Sequence, residues 1–393
     1  MNESAPQSIS GYQIESVIGS GGMGTVYLAR HRALPRYVAL KVLDTQAGAS
    51  ASARARFGRE ARLAAALSHP HIVRVLDASV DGTSVDGTSP GSPADASAPL
   101  WIAMQYVPGT DAAAEIGAAG GTGLDPRHVA TVITAVASAL DHAHRQGMLH
   151  RDVKPANILI SSEDDRVLLT DFGVARLMDD PVTMSTSNTM FVSLAYAAPE
   201  RLRGDPSDGR ADQYSLAATA FHMLAGAPPF RRETVAAMLM AHLADEVSSV
   251  AAIGGSPALA QSADIARVDE VLARGLAKDP AQRYVDCSQF AAALARALGQ
   301  PYRSAAVPSQ PGLDAGEYRQ VIPPARPHTR DGVASHTAIP GPAQPRQFAS
   351  APSPVTGAAA PPHRLGSARV WRAVFFATLA ICIVIVAVVL ALG

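Results

Sequence analysis

One short run constrains this chain more than any other: His150-Arg151-Asp152-Val153-Lys154-Pro155-Ala156-Asn157, followed by Asp171-Phe172-Gly173. It sets an acid, an ammonium and an amide on one loop and a second acid on the next. These are the groups needed to hold a nucleoside triphosphate, its metal and an attacking hydroxyl together. A fold that uses them must bring the two loops side by side. The rest of the chain can be asked whether it supplies such a fold.

The 393 residues suffice for one large domain or two ordinary ones with tails. The formal net charge of -1 gives no reason to expect nucleic acid as a partner. Residues 1–11 form a polar tail without an apolar signal segment. Residues 12–298 alternate strand-like and helix-like patterns and read as the folded domain. Residues 299–369 are rich in Pro, Ala, Ser and Gly without apolar periodicity. Such a stretch buries too little surface to offset its ordering entropy, so a disordered linker is expected. It is also basic, since residues 301–369 carry seven arginines against three acids. In the final segment, 370–393, the nineteen residues 374–392 have Thr378 as their only polar side chain. At helical rise that length just spans a bilayer core. A buried core helix is the competing reading, but the run follows a linker and has no domain left to enter. Arg364, Arg369 and Arg372 precede it and no charge follows. The positive-inside bias therefore predicts a single-pass membrane protein with a cytoplasmic folded domain and nothing folded on the far side. Cys287 and Cys382 are too few for a disulfide framework, consistent with a reduced compartment.

Upstream of the loop pair, residues 14–18 read as a strand leading into Gly19-Ser20-Gly21-Gly22-Met23-Gly24-Thr25-Val26. Glycines at 19, 21 and 24 let a backbone approach phosphate oxygens through its N–H groups. Alone, this pattern fits a dinucleotide-binding turn or a plain hairpin equally well. A dinucleotide turn opens a helix, whereas here a second strand follows from Val26, which favours a lid over phosphates. Next comes Val38-Ala39-Leu40-Lys41 on a strand, and Glu60 nineteen residues later on a predicted helix over 53–67. On composition alone Glu60 is a solvated helix charge. The segment 80–84, Val-Asp-Gly-Thr-Ser, repeats directly at 85–89 and reads as an expanded surface loop. Asp125-Pro126 predicts the start of a helix running to 143 that delivers the loop at 150–157.

Taken together, these motifs resemble the eukaryotic-type Ser/Thr protein kinases of bacteria, in particular the membrane-anchored actinobacterial ones. The likeness covers about 12–298, with every motif in the family's order. It implies an α+β, two-lobed kinase fold: a small β-rich lobe over about 12–107 and a large helical lobe over about 108–298. It implies ATP and Mg2+ as cofactors, with Mn2+ the alternative ion. It assigns ATP contacts to Gly19, Gly21, Gly24, Val26, Ala39, Lys41, Glu60, Gln105 and Val107. Glu60 would fix Lys41, Met104 would be the gatekeeper, and the backbone of Gln105 and Val107 would meet the adenine. Asp152 would accept the proton of the attacking hydroxyl, Lys154 would offset charge on the transferred group, and Asn157 and Asp171 would hold metal. Glu200, Asp212 and Arg283 would be structural.

The activation segment would span 171–200, with Ser185, Thr186 and Ser187 as candidate regulatory phosphosites that Arg151 could pair with. Val192-Ser193 stands where relatives have Gly-Thr, and the Ser193 hydroxyl is expected to reach Asp152 and Lys154. The implied partners are Ser/Thr-bearing protein substrates, a second copy for trans-autophosphorylation or dimerisation, and the membrane. Two rivals stay open: a pseudokinase used as a binding module, and a small-molecule kinase such as an aminoglycoside or choline phosphotransferase. One usage pattern bears on both. The chain has three lysines, Lys41, Lys154 and Lys278, against thirty arginines, yet lysine occupies both positions where this chemistry wants a compact ammonium.

Overall fold

The computed structural model describes residues 8–21, 24–33, 36–43, 51–80, 83–84, 99–172, 193–254, 259 and 264–302. All of these lie in one compact unit, Met1–Val321. The phosphosite candidates Ser185, Thr186 and Ser187, together with Gly173 and Val192, lie outside the described residues, as do most of the expected linker and the apolar run 374–392. Among the described residues no helix is long and apolar enough to cross a membrane.

The first lobe is one antiparallel sheet with a helix against it. Its strands are β1 (Ser8–Ile9), β2 (Tyr12–Gly21), β3 (Gly24–His31), β4 (Tyr37–Leu43), β5 (Val75–Val80), β6 (Thr83–Ser84) and β7 (Trp101–Gln105), in the order β1-β2-β3-β4-β7-β5-β6. The helix is α1 (Ala51–Ala66). Side chains alternate across a strand, so each strand serves two faces. On β7, Trp101 and Ala103 pack with Tyr12, Ala29, Val38 and Leu40, while Ile102 and Met104 pack on the other face with Phe57 and Ala61 of α1. On β4 the same alternation puts Ala39 and Lys41 on the second face. The register then aligns Ala39 with Met104, Lys41 with Ile102 and Val26 with Lys41.

The second lobe is helical apart from a three-stranded sheet, β10-β9-β8, formed by β8 (Gly109–Asp111), β9 (Ile158–Ser161) and β10 (Val167–Leu169). Its helices are α2 (Ala112–Ala118), α3 (Pro126–Arg145), α4 (Pro199–Arg203), α5 (Gly209–Ala225), α6 (Val235–Ala244), α7 (Val250–Ile253), α8 (Ile265–Gly275) and α9 (Cys287–Ala297). As predicted, α3 starts at Asp125-Pro126, where the Asp125 carboxylate accepts from Arg127 N–H at 2.8 Å and His128 N–H at 3.2 Å. Helix α5 is buried on all sides and forms the centre of this lobe, packed against α3, α8 and α9.

The β9–β10 hairpin is what joins the two loops of interest. Its register pairs Ile158 with Leu169 and Ile160 with Val167. Asn157 precedes one strand and Thr170 follows the other, and the Thr170 N–H donates to Asn157 O at 3.0 Å. The ends of the run 150–157 and of the Asp171 segment are thus neighbours because a hairpin makes them so.

Candidate active site

The loop 150–157 is fixed from below by one carboxylate. Asp212, on the buried helix α5, accepts the backbone N–H of His150 at 2.8 Å on Oδ2 and that of Arg151 at 2.7 Å on Oδ1. His144, at the end of α3, meets Asp212 Oδ2 at 2.8 Å. Burial alone would raise the Asp212 carboxyl; the His144 bond and charge, His150 and the Arg151 N–H together hold it below the usual carboxylate range. The sequence reading singled out Asp212 but missed His144, which no local motif ties to residue 212. His150 is itself fully buried. Its Nδ1 accepts the Asp152 N–H at 3.2 Å, so Nε2 carries the proton and donates to Thr170 O at 2.8 Å. That imidazole links the loop 150–157 to the Asp171 segment. Burial holds it below its ordinary titration range, against the pull of Asp212.

Two residues in this region adopt left-handed backbone without being glycine: Arg151 at φ 69° and Asp171 at φ 67°. Such conformations cost about 1–3 kcal/mol each and persist only where surroundings hold them. For Arg151 the holding groups are visible. Asp212 takes its N–H, and the Arg201 guanidinium of α4 donates to its carbonyl.

The polar centre lies above. Lys154 Nζ donates to Asp152 Oδ2 at 2.7 Å and to Ser193 Oγ at 2.8 Å. The expected reach of Ser193 to Lys154 is therefore present. Asn157 Nδ2 donates to Asp152 O at 2.6 Å and to Asp152 Oδ2 at 3.1 Å. The Asp152 carboxylate is thereby steered by an ammonium and an amide. Lys41 Nζ donates to Asp171 Oδ2 at 2.7 Å, which ties the small lobe to the Asp171 segment. Burial pushes the Asp171 carboxyl up, and Lys41, with help from His150 and Lys154, brings it below the ordinary range. Glu60 is buried on α1 of the same lobe, which excludes the reading as a solvated helix charge.

Between the lobes lies a cavity of about 470 Å³. Gly19, Val26 and Ala39 line it from the small lobe, Leu159 and Asp171 from the large lobe, and Met104, Gln105 and Val107 along the connection. The Gln105 N–H is taken by Arg74 O at 2.9 Å. Among the predicted glycines, Gly24 needs to be glycine for backbone reasons: at φ +131° a Cβ would stand 2.0 Å from Val42 O. Gly19 takes its place at the cavity wall through clearance, with Val26 as its near neighbour. The structural pair is also formed. Arg283 holds Glu200 with two parallel bonds of 2.7 and 2.8 Å, both side chains buried.

Residues 12–295 match the family described as protein kinase domain. This chain belongs to the protein kinase family. It is 46% identical over 295 residues to serine/threonine-protein kinase PknF of Mycobacterium tuberculosis, a match covering 74% of this chain and 57% of that protein. It is 41% identical over 341 residues to PknJ of the same organism, covering 86% of this chain and 53% of PknJ. The chain thus spans about half the length of the curated relatives it matches. The crystal structure of the M. tuberculosis PknI kinase domain superposes with a TM-score of 0.56 at 39% identity, covering 74% of this chain and 97% of that one. The family uses ATP and a divalent metal, and the kinase core has a β-sheet lobe and a helical lobe, as the sequence predicts.

Proposed function

We propose that this kinase transfers the γ-phosphoryl group of ATP to Ser and Thr hydroxyls of proteins, its own activation segment among them, as part of bacterial signal transduction. The observation that carries this reading is that Lys154 bonds both Asp152 and Ser193, on a loop paired with the Asp171 segment. The names of its relatives, all serine/threonine-protein kinases, agree with it. In the reaction Asp152 accepts the hydroxyl proton. The hydroxyl oxygen bonds to the γ-phosphorus as the β–γ bridging bond breaks and ADP leaves, and Lys154 offsets charge on the group in transit.

A metal would be held by the Asp171 carboxylate and the Asn157 side-chain oxygen, since the Asn157 nitrogen is engaged by Asp152. Such an all-oxygen set suits a hard cation, so Mg2+ is the ion of choice and Mn2+ the substitute. When bound, it screens phosphate charge. We also place the protein at the cell membrane as a single-pass protein with a cytoplasmic kinase domain. The nineteen residues 374–392, apolar apart from Thr378, and the arginines before them support that placement. Tethering would raise the effective concentration of one copy for another and favour phosphorylation in trans, including through dimers.

The test is Asp152→Asn. Radiolabel transfer from ATP to a basic Ser/Thr substrate should fall about 10²–10⁴-fold, while ATP affinity is retained. Mixed with active wild type, the variant should still gain phosphate on Ser or Thr, and mapping those sites would read out Ser185, Thr186 and Ser187. A wild-type protein that binds ATP yet transfers nothing would leave a nucleotide-binding module in place of an enzyme.

A further inference from the structure

Behind the connection between the lobes lies a second cavity, of about 420 Å³, which the phosphoryl-transfer site does not use. Arg36, Arg74 and Arg166 line it, from the start of β4, the approach to β5 and the β9–β10 turn. Among the described residues no carboxylate lines it. Its hydroxyl groups come from Tyr37, Ser68 and Tyr106. Outside the lining, Arg30 adds a fourth cation beside Tyr37: it donates to Tyr37 OH at 2.6 Å and lies 5.0 Å over the Tyr37 ring. Two of these cations have acidic partners, Arg166 with Asp164 and Arg30 with Glu15, both pairs largely exposed. Exposed pairs of this kind are worth little and exchange readily for a better anion. The chain as a whole is near neutral, with a formal net charge of -1, so a hollow lined by three arginines and no acid departs from its average.

We propose that this groove docks a phosphorylated segment of a protein substrate. Guanidinium forks match phosphate oxygens with paired hydrogen bonds, and hydroxyl donors complete the coordination. The volume is larger than one phosphate needs and leaves room for the flanking residues of a peptide. The proposal rests on the protein-kinase reading and adds a partner to it: a substrate segment that already carries phosphate, held on the reverse of the hinge while another hydroxyl reaches Asp152. Gln105 and Tyr106 line this groove and the nucleotide cavity alike, so the two sites share a wall and have separate interiors.

The experiment uses the full chain and fluorescent peptides with a central phosphoserine, the same peptide with serine, inorganic phosphate as a competitor, and vesicles of anionic phospholipid. Anisotropy should show binding of the phosphoserine peptide at least about tenfold tighter than the serine peptide, unaffected by saturating ADP. Arg74→Ala/Arg166→Ala should weaken it by about tenfold or more, while Arg203→Ala, a surface control, should not. Thermal unfolding and ADP titration verify that each variant is folded. Equal binding of both peptides, retained affinity in the double variant, or binding of vesicles in preference to peptide would each overturn the proposal. Displacement by millimolar inorganic phosphate alone, with no preference for the peptide, would reduce it to an anion site and also overturn it. Because binding is read without turnover, loss of docking with transfer intact counts against this groove only. Loss of transfer with docking intact counts against the kinase reading.

Discussion

The Arg283 guanidinium engages all five of its N–H donors. Glu200 takes two, and the carbonyls of Ala277, Arg210 and Lys278 take the others. A buried charge so thoroughly paired contributes little net stability over apolar packing, yet removing one partner leaves the other stranded. Arg283→Met should therefore destabilise the domain by about 3–5 kcal/mol, and adding Glu200→Met should recover much of that loss. Urea unfolding of the two singles and the double would measure it; equal losses in the single and the double would refute the stranded-charge account. Lysine usage carries a related lesson. All three lysines of this arginine-rich chain sit in specific, partly buried contacts: Lys41 on Asp171, Lys154 on Asp152, and Lys278 on the Ala241 and His242 carbonyls. The rarity was visible in the sequence and pointed at two of these sites. The third, a cap for the end of α6, needed the fold.

At the level of elements, helix starts show how local and tertiary signals divide the work. Helix α9 has a local cap, Asp286, which accepts the Gln289 N–H at 2.7 Å. It also has a remote one. Asp141, buried on α3, accepts the N–H groups of Cys287 at 3.0 Å and Ser288 at 2.9 Å. Replacing Asp286 with Ala should cost about 1 kcal/mol, as exposed caps do. Asp141→Ala leaves three donors, the Cys287 and Ser288 N–H groups and the Ser288 hydroxyl, without that acceptor and should cost about 2–4 kcal/mol. Chemical denaturation of both variants tests the order, and a larger loss at Asp286 would contradict it. Sequence pattern suffices for the first cap because its partner is three residues away. It cannot reach the second, 146 residues away along the chain.

Across the whole molecule, three histidines in different places share one property. His69 at the back of the hinge, His222 on α5 and His242 on α6 are all held down to about 4, burial being the main cause. In the unfolded chain they titrate near 6.5. Between those values the unfolded state binds protons that the folded state refuses. The stability they confer is thus complete above about pH 6.5 and declines by about 1.4 kcal/mol per pH unit for each histidine as pH falls toward 4. Thermal unfolding at pH 7 and pH 5 should show a marked drop, and His242→Gln should flatten it. A melting temperature that holds steady over that range would count against neutral burial.

The sequence by itself determined the chemistry and the order of parts. Asp152, Lys154, Asn157, Asp171 and Lys41 stood out because they fall in motifs of fixed local spacing, and the structure pairs Lys41 with Asp171 and brings Lys154 and Asn157 onto Asp152. What only the tertiary structure decided is which distant groups hold that chemistry in place. His144 behind Asp212, Arg201 on the Arg151 carbonyl and the basic groove behind the hinge join residues far apart in sequence. Periodicity and spacing report on neighbours within a few residues. Contacts across helices and hairpins depend on how whole elements pack, and one-dimensional pattern carries no distance at that range.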